Sequence, residues 1–157
     1  MSASSRLADL GITLPEVAIP VGTYAPARRH GDLIYTSGQL PLVDGELVAT
    51  GLVGSRAGDV GPERAVECAR AAVLNALAAV AGVAGGIDSV LGIVRMTGYI
   101  ASAPGFTGQP AVLNGASGIL ADVFGEPGRH ARSAVGVASL PLGAPVEIEL
   151  VAELRPF

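Results

Sequence analysis

The most constraining feature of this chain is one apolar stripe. After Pro62 and Glu63, the residues Val66, Ala69, Val73, Leu77 and Val80 recur at steps of three and four, which places them on one face of an α-helix. Proline lacks the donor that would be unpaired in a first turn, and the acidic residue beside it suits the positive end of the helix dipole. Gly82, Gly85 and Gly86 then stop the helix. Directly after it, residues 90–101 are rich in β-branched side chains. Their period of two predicts a strand, with Ile93, Arg95, Thr97 and Tyr99 on one side and Val94, Met96, Gly98 and Ile100 on the other. The glycines follow a helix and do not lead from a strand into one, so they are stop signals and not a dinucleotide fingerprint.

A second helix is predicted from Pro110, with Val112, Leu113, Ala116, Leu120 and Val123 inward and Gly125 closing it. Its interior glycines, Gly115 and Gly118, cost about 1 kcal/mol each against alanine, a loss that close packing against a sheet offsets. Residues 132–138 and 146–154 read as the last two strands, joined through a proline-bounded turn at 141–145. Upstream, residues 21–24 read as a first strand, 28–32 as a polar turn and 33–36 as a second strand. Residues 41–61 show no sustained period and read as a long loop or irregular ribbon.

Strands, helix, strand, helix, two strands: that order predicts an α+β fold, a mixed sheet covered by two helices. The chain length of 157 residues suits one domain, with 1–20 as an N-terminal extension and 21–157 as the single folded unit. The final strand alternates Val146, Ile148, Leu150, Ala152 and Leu154 with Glu147, Glu149, Val151 and Glu153. One face of the sheet is therefore acidic without being wholly polar, and is either solvated or buried by another subunit.

Composition removes whole classes of chemistry. All ten basic residues are arginine, so Schiff-base catalysis, a pyridoxal-phosphate anchor and a Walker-loop lysine are excluded. Cys68 stands alone and reads as a small buried helix residue, and His30 and His130 are the only histidines, so neither a disulfide nor a metal site is expected, and no cofactor. A net charge of −4 and six aromatics argue against nucleic acid as a partner. Residues 1–9 carry charges without an apolar core, and the uncharged stretch 71–87 is shorter than the ~20 residues of a membrane span. A soluble, cytoplasmic protein with no membrane partner is expected.

A Gly-x-Ser-x-Gly elbow is missing, and there is no tryptophan to make a sugar platform. What remains is arginine with carboxylate. Arg132 opens a strand within Gly128-Arg129-His130-Ala131-Arg132-Ser133, where its planar fork matches a substrate carboxylate; the alternative is a structural salt bridge to Glu147 or Glu149. Glu147 is either part of a solvated strand face or a carboxylate that holds and polarises a water. His130 is a turn or surface polar group, or a general acid.

At these residues the sequence resembles the RidA/YjgF family. Four motifs carry the resemblance in order: Tyr35-Thr36-Ser37-Gly38-Gln39-Leu40-Pro41, Ala131-Arg132-Ser133-Ala134-Val135, Leu140-Pro141 and Val146-Glu147-Ile148-Glu149. The resemblance implies a chorismate-mutase-like fold, a homotrimer, and ligand sites in clefts between subunits. It further implies that Arg132 grips the carboxylate of a 2-imino or 2-enamino acid, that Glu147 positions the attacking water, and that Tyr24, Ser37, Gly38 and Asn114 line the pocket. The implied reaction is hydrolytic deamination to a 2-keto acid and ammonia; the rivals are a non-catalytic module that binds small carboxylates, and a ribonuclease or translation inhibitor. The chain departs from the family pattern in having Ala134 where a cysteine commonly stands and Gly22-Thr23-Tyr24 for the usual Gly-Pro-Tyr. Its longer N-terminus and its loop at 45–61 resemble a long-chain branch, and Arg129 and His130 add polar groups ahead of the arginine motif.

Overall fold

The computed structural model describes residues 1–20 and 22–155. Helix α1 (Ala3–Asp9) is followed by the hairpin β1 (Ala27–His30) and β2 (Leu33–Thr36), then by a small ribbon of β3 (Leu42–Val43) and β4 (Glu46–Leu47). The long helix α2 (Pro62–Ala84), strand β5 (Val90–Ala101), helix α3 (Gln109–Phe124) and strands β6 (Ala131–Val137) and β7 (Val146–Leu154) follow. Among the described residues five strands form one mixed sheet in the order β1-β2-β7-β5-β6, with the β5–β6 pair parallel and the other pairs antiparallel. The α+β class and the mixed sheet under helices agree with the sequence reading.

The core lies between the sheet and the two long helices. Ala69, Val73, Leu77 and Val80 are fully buried on α2, and Val146, Ile148, Leu150 and Ala152 meet them from β7. Cys68 is buried on the same helix, and loss of solvent pushes its thiol up to about 11. Helix α2 has 23 residues and is apolar enough to cross a membrane by length and composition. That exceeds the short stretch read from sequence, but most of its apolar window is buried against the sheet and α3.

Several local expectations are corrected. The first strand is Ala27–His30, overlapping what reads as a turn at 28–32; residues 22–24 are bends, and Val21 lies outside the described residues. This strand is at the sheet's edge with Arg28, Arg29 and His30 exposed, so no apolar alternation marks it. In β5 the register shifts between Ile93 and Arg95, and the bulge moves Ile93 onto the core side while Val94 is left exposed. Gly115 packs against a helix instead of the sheet: a Cβ there would lie 2.7 Å from Val66 Cγ1 and 2.9 Å from Val66 O, whereas Gly118 faces open space. The N-terminal segment adds a third helix to the two expected. Ser2 caps α1 by accepting from the Ser5 amide, Leu7 is buried, and Asp88 receives both the Ser4 amide and its hydroxyl.

Candidate functional site

Strand pairing fixes which way each candidate side chain points. Residues opposite one another in adjacent strands share a face, so the pairs Tyr99↔Glu147, Thr97↔Glu149 and Thr97↔Ser133 define the face away from the helices. Tyr99 confirms this by donating its hydroxyl to Glu149 Oε1 at 3.1 Å, and Arg95 Nη2 donates to Ser133 Oγ at 2.8 Å. Arg132 pairs with Met96, which is fully buried in the core, and so lies on the helix side of the edge strand β6. Arg132 and Glu147 thus sit on opposite faces of the sheet, separated by one intervening strand, and cannot meet within one chain.

Arg132 leans on α3. Its Nη1 donates to Asn114 Oδ1 at 2.9 Å and to Ser117 Oγ at 3.2 Å. Asn114 and Ser117 are three residues apart and therefore share a helix face. His130 completes the cluster, with Nε2 3.1 Å from Ser117 Oγ and Nδ1 2.7 Å from the Gly128 carbonyl. Among the described residues no carboxylate pairs with Arg132, which corrects the alternative of a salt bridge to Glu147 or Glu149: β6 borders β5, not β7. Ser117 is a member of this cluster that the sequence reading missed, because a lone serine on a helix carries no motif.

Glu147 belongs to a second cluster. Residues 37–39 continue alongside β7, where Gln39 and Ile148 exchange both backbone hydrogen bonds at 2.8 and 3.0 Å. Gly38 is thereby laid against the Glu147 carboxylate; a Cβ on Gly38 would lie 1.8 Å from Glu147 Oε1, so only glycine leaves the carboxylate its place. Burial, and secondarily the charge of Glu149, raises the Glu147 carboxyl above its ordinary value. Tyr24 and Ser37 line an open cleft of about 640 Å³ with Arg28 and Tyr35, and Tyr24 and Gly38 share a smaller hollow beside it. The Ser37 hydroxyl donates to the Ala25 carbonyl at 2.7 Å, which pins the loop bearing Tyr24 to the start of this segment.

The sequence candidates therefore fall into two groups. Tyr24, Ser37, Gly38 and Glu147 gather around the free sheet face near β2 and β7, while Asn114, His130 and Arg132 gather at the β6 edge. Among the described residues no group of three or more His, Cys, Asp or Glu side chains is arranged to hold a metal.

Comparison with known proteins agrees with the fold and the motifs. A family model described as "YjgF/chorismate mutase-like, putative endoribonuclease" matches residues 4–154. Protein TCP17 of Trypanosoma cruzi is 40% identical over 153 residues, covering 97% of this chain and 94% of that protein. The crystal structure of protein Atu1372 from Agrobacterium tumefaciens, of unknown function, is 42% identical and superimposes with a TM-score of 0.86 over 98% of this chain and 92% of its own. The crystal structure of E. coli TdcF with bound serine is similar at 26% identity and a TM-score of 0.59, covering 91% of this chain and 94% of that one. The resemblance carried by the four motifs is confirmed over nearly the whole chain, N-terminal helix included, and this protein belongs to the YjgF/chorismate mutase-like family.

Proposed function

We propose that this protein hydrolyses reactive 2-imino or 2-enamino acids to 2-keto acids and ammonia, in sites assembled between neighbouring copies of the chain. One observation carries the reading: Arg132 is held by two neutral oxygens and, among the described residues, by no carboxylate. A guanidinium so placed at a sheet edge is an uncompensated cation suited to a small carboxylate ligand. The relative with bound serine, a molecule bearing a carboxylate, supports the same ligand class.

The two half-sites are unlike surfaces, a sheet edge with its helix and an open sheet face. Contact between unlike patches is heterologous, and it closes when repeated around a ring. A homotrimer in which the β6 edge of one protomer meets the free face of the next brings Arg132 of the first toward Glu147 of the second. The exposed apolar side chains on that face, Tyr35 and Val135 among them, are then covered as well.

The reaction needs orientation and a placed water more than it needs a nucleophile. Arg132 holds the substrate carboxylate, with Asn114 bracing the guanidinium. Water adds through oxygen to the iminium carbon, the C=N pair moves onto nitrogen, and the water proton passes to Glu147. Glu147 then returns that proton to the amino nitrogen as the C–N bond breaks. Ammonia leaves, and the carbinolamine hydroxyl passes its proton to Glu147, by then a carboxylate again, to become the keto oxygen. A carboxyl raised by burial is a stronger base than a solvated one, which suits this role. The ligand is small and anionic, the reaction uses no cofactor, and the setting we propose is the cytoplasm.

The test couples purified protein to a serine or threonine dehydratase and times the release of 2-keto acid. The parent accelerates release. Arg132→Ala should lose about 100-fold or more in kcat/KM, in keeping with a charged hydrogen-bonded contact of ~3 kcal/mol; product formed as fast by this variant as by the parent contradicts the assignment.

A further inference from the structure

We infer that Ser117 and His130 are positioning residues that lock the Arg132 guanidinium by its Nη1 edge, so that the Nε and Nη2 edge alone receives the ligand. The inference rests on the reading that Arg132 binds a carboxylate, and it specifies how.

Every bond in the cluster has a fixed direction. The Gly128 carbonyl can only accept, so His130 Nδ1, 2.7 Å away, carries a proton. In the neutral ring Nε2 is then a bare acceptor, and the Ser117 hydroxyl 3.1 Å from it must donate. A hydroxyl that donates on one side offers its lone pairs on the other, and there Arg132 Nη1 donates at 3.2 Å. The second Nη1 hydrogen goes to Asn114 Oδ1 at 2.9 Å. Both Nη1 hydrogens are thereby committed.

What remains is Nε–H with the two Nη2 hydrogens, and among the described residues neither nitrogen meets an acceptor. Nε–H and the neighbouring Nη2–H are parallel and match the two oxygens of one carboxylate. The relay thus selects one of the two ways an arginine fork can be presented. It also gives His130 a role through Ser117 instead of direct contact with substrate, and it explains why the histidine stands immediately before β6: from there its ring reaches the helix α3 face that carries Ser117.

The experiment is a long-range proton–nitrogen NMR spectrum of the uniformly nitrogen-15-labelled protein without ligand, followed by steady-state kinetics on variants. The parent should show His130 as the Nδ1–H tautomer and separate Arg132 Nη signals, held apart by their unequal partners. Ser117→Ala should shift the Nη1 signal toward that of Nη2, with Asn114 still holding one Nη1 hydrogen, and raise KM about tenfold with kcat within about twofold, the size of one hydrogen bond to a charged group. Ser117→Thr keeps the hydroxyl and should stay within about threefold of the parent. His130→Gln keeps an acceptor at the Nε2 position and should do the same, whereas His130→Leu should behave like Ser117→Ala. An Nε2–H tautomer in the parent, or guanidinium signals indifferent to Ser117→Ala, overturns the inference. The spectra need no substrate, so the positioning claim is decided by them alone. A parent that shows the expected spectra but hydrolyses no imine retires the proposed reaction and leaves the relay standing.

Discussion

Glu147 is the residue whose environment says most about its chemistry. It serves the proposed reaction as a base and must be ionised, so activity is lost as pH falls through its pKa. Burial first and Glu149 second raise that pKa, which sets the acid limb of the rate profile at a higher pH than a solvated carboxylate gives. Glu149→Gln removes the second cause and should move the acid limb of kcat/KM to lower pH with the plateau nearly unchanged. A limb that stays in place or moves upward speaks against Glu147 as the titrating base. Gly38 offers a second test, because alanine there occupies the space of the Glu147 carboxylate. Gly38→Ala should lower kcat by about 10-fold or more, the cost of displacing the proposed base by an ångström or so, while the melting temperature shows that the fold survives. Both residues could be singled out in the sequence, but their contact could not: Gly38 and Glu147 are more than a hundred positions apart, and only the pairing of Gln39 with Ile148 brings them together.

Among the elements, the two long helices α2 and α3 were the most legible because each carries a long apolar period, and α2 begins at Pro62 as the stripe predicts, whereas the seven-residue α1 is too short to carry one. The edge strand β1 was not, since its exposed side chains are polar and an edge needs no alternation. Nor could the β5 bulge be read, because a bulge changes which face a residue joins without changing composition. The packing of α2 on α3 makes a paired prediction. Alanine at Gly115 gains about 1 kcal/mol of helix propensity but forces Val66 aside, an overpacking cost of ~1–3 kcal/mol, so the net effect should be a lower melting temperature. Gly118 has room for a Cβ, and Gly118→Ala should raise stability by up to about 1 kcal/mol. Thermal unfolding of the two variants checks the sign of each; equal shifts would mean that the helices do not approach each other at Gly115 as described.

At the scale of the whole molecule, the sequence named the two central residues of the candidate site and concealed their relation. Arg132 and Glu147 lie fifteen positions apart on what read as consecutive strands, which invites the picture of neighbours. The sheet order β7-β5-β6 inserts a strand between them, and the parity of the pairing turns them to opposite faces. No local pattern encodes either fact, since both follow from the parallel crossover from β5 through α3 to β6. On the proposed reading a single chain therefore carries halves of two different sites, and catalysis requires neighbouring copies to complete them.

That claim is tested by mixing two inactive chains. Arg132→Ala and Glu147→Gln are co-expressed with different tags in equal amounts, and the assembled protein is assayed for 2-keto acid release beside each variant alone. In a three-membered ring assembled at random, a site is intact when its arginine comes from the Glu147→Gln chain and its glutamate from the Arg132→Ala chain, which restores about one quarter of parental activity. Activity no greater than that of the separate variants, from complexes shown to contain both chains, would contradict a site shared between protomers.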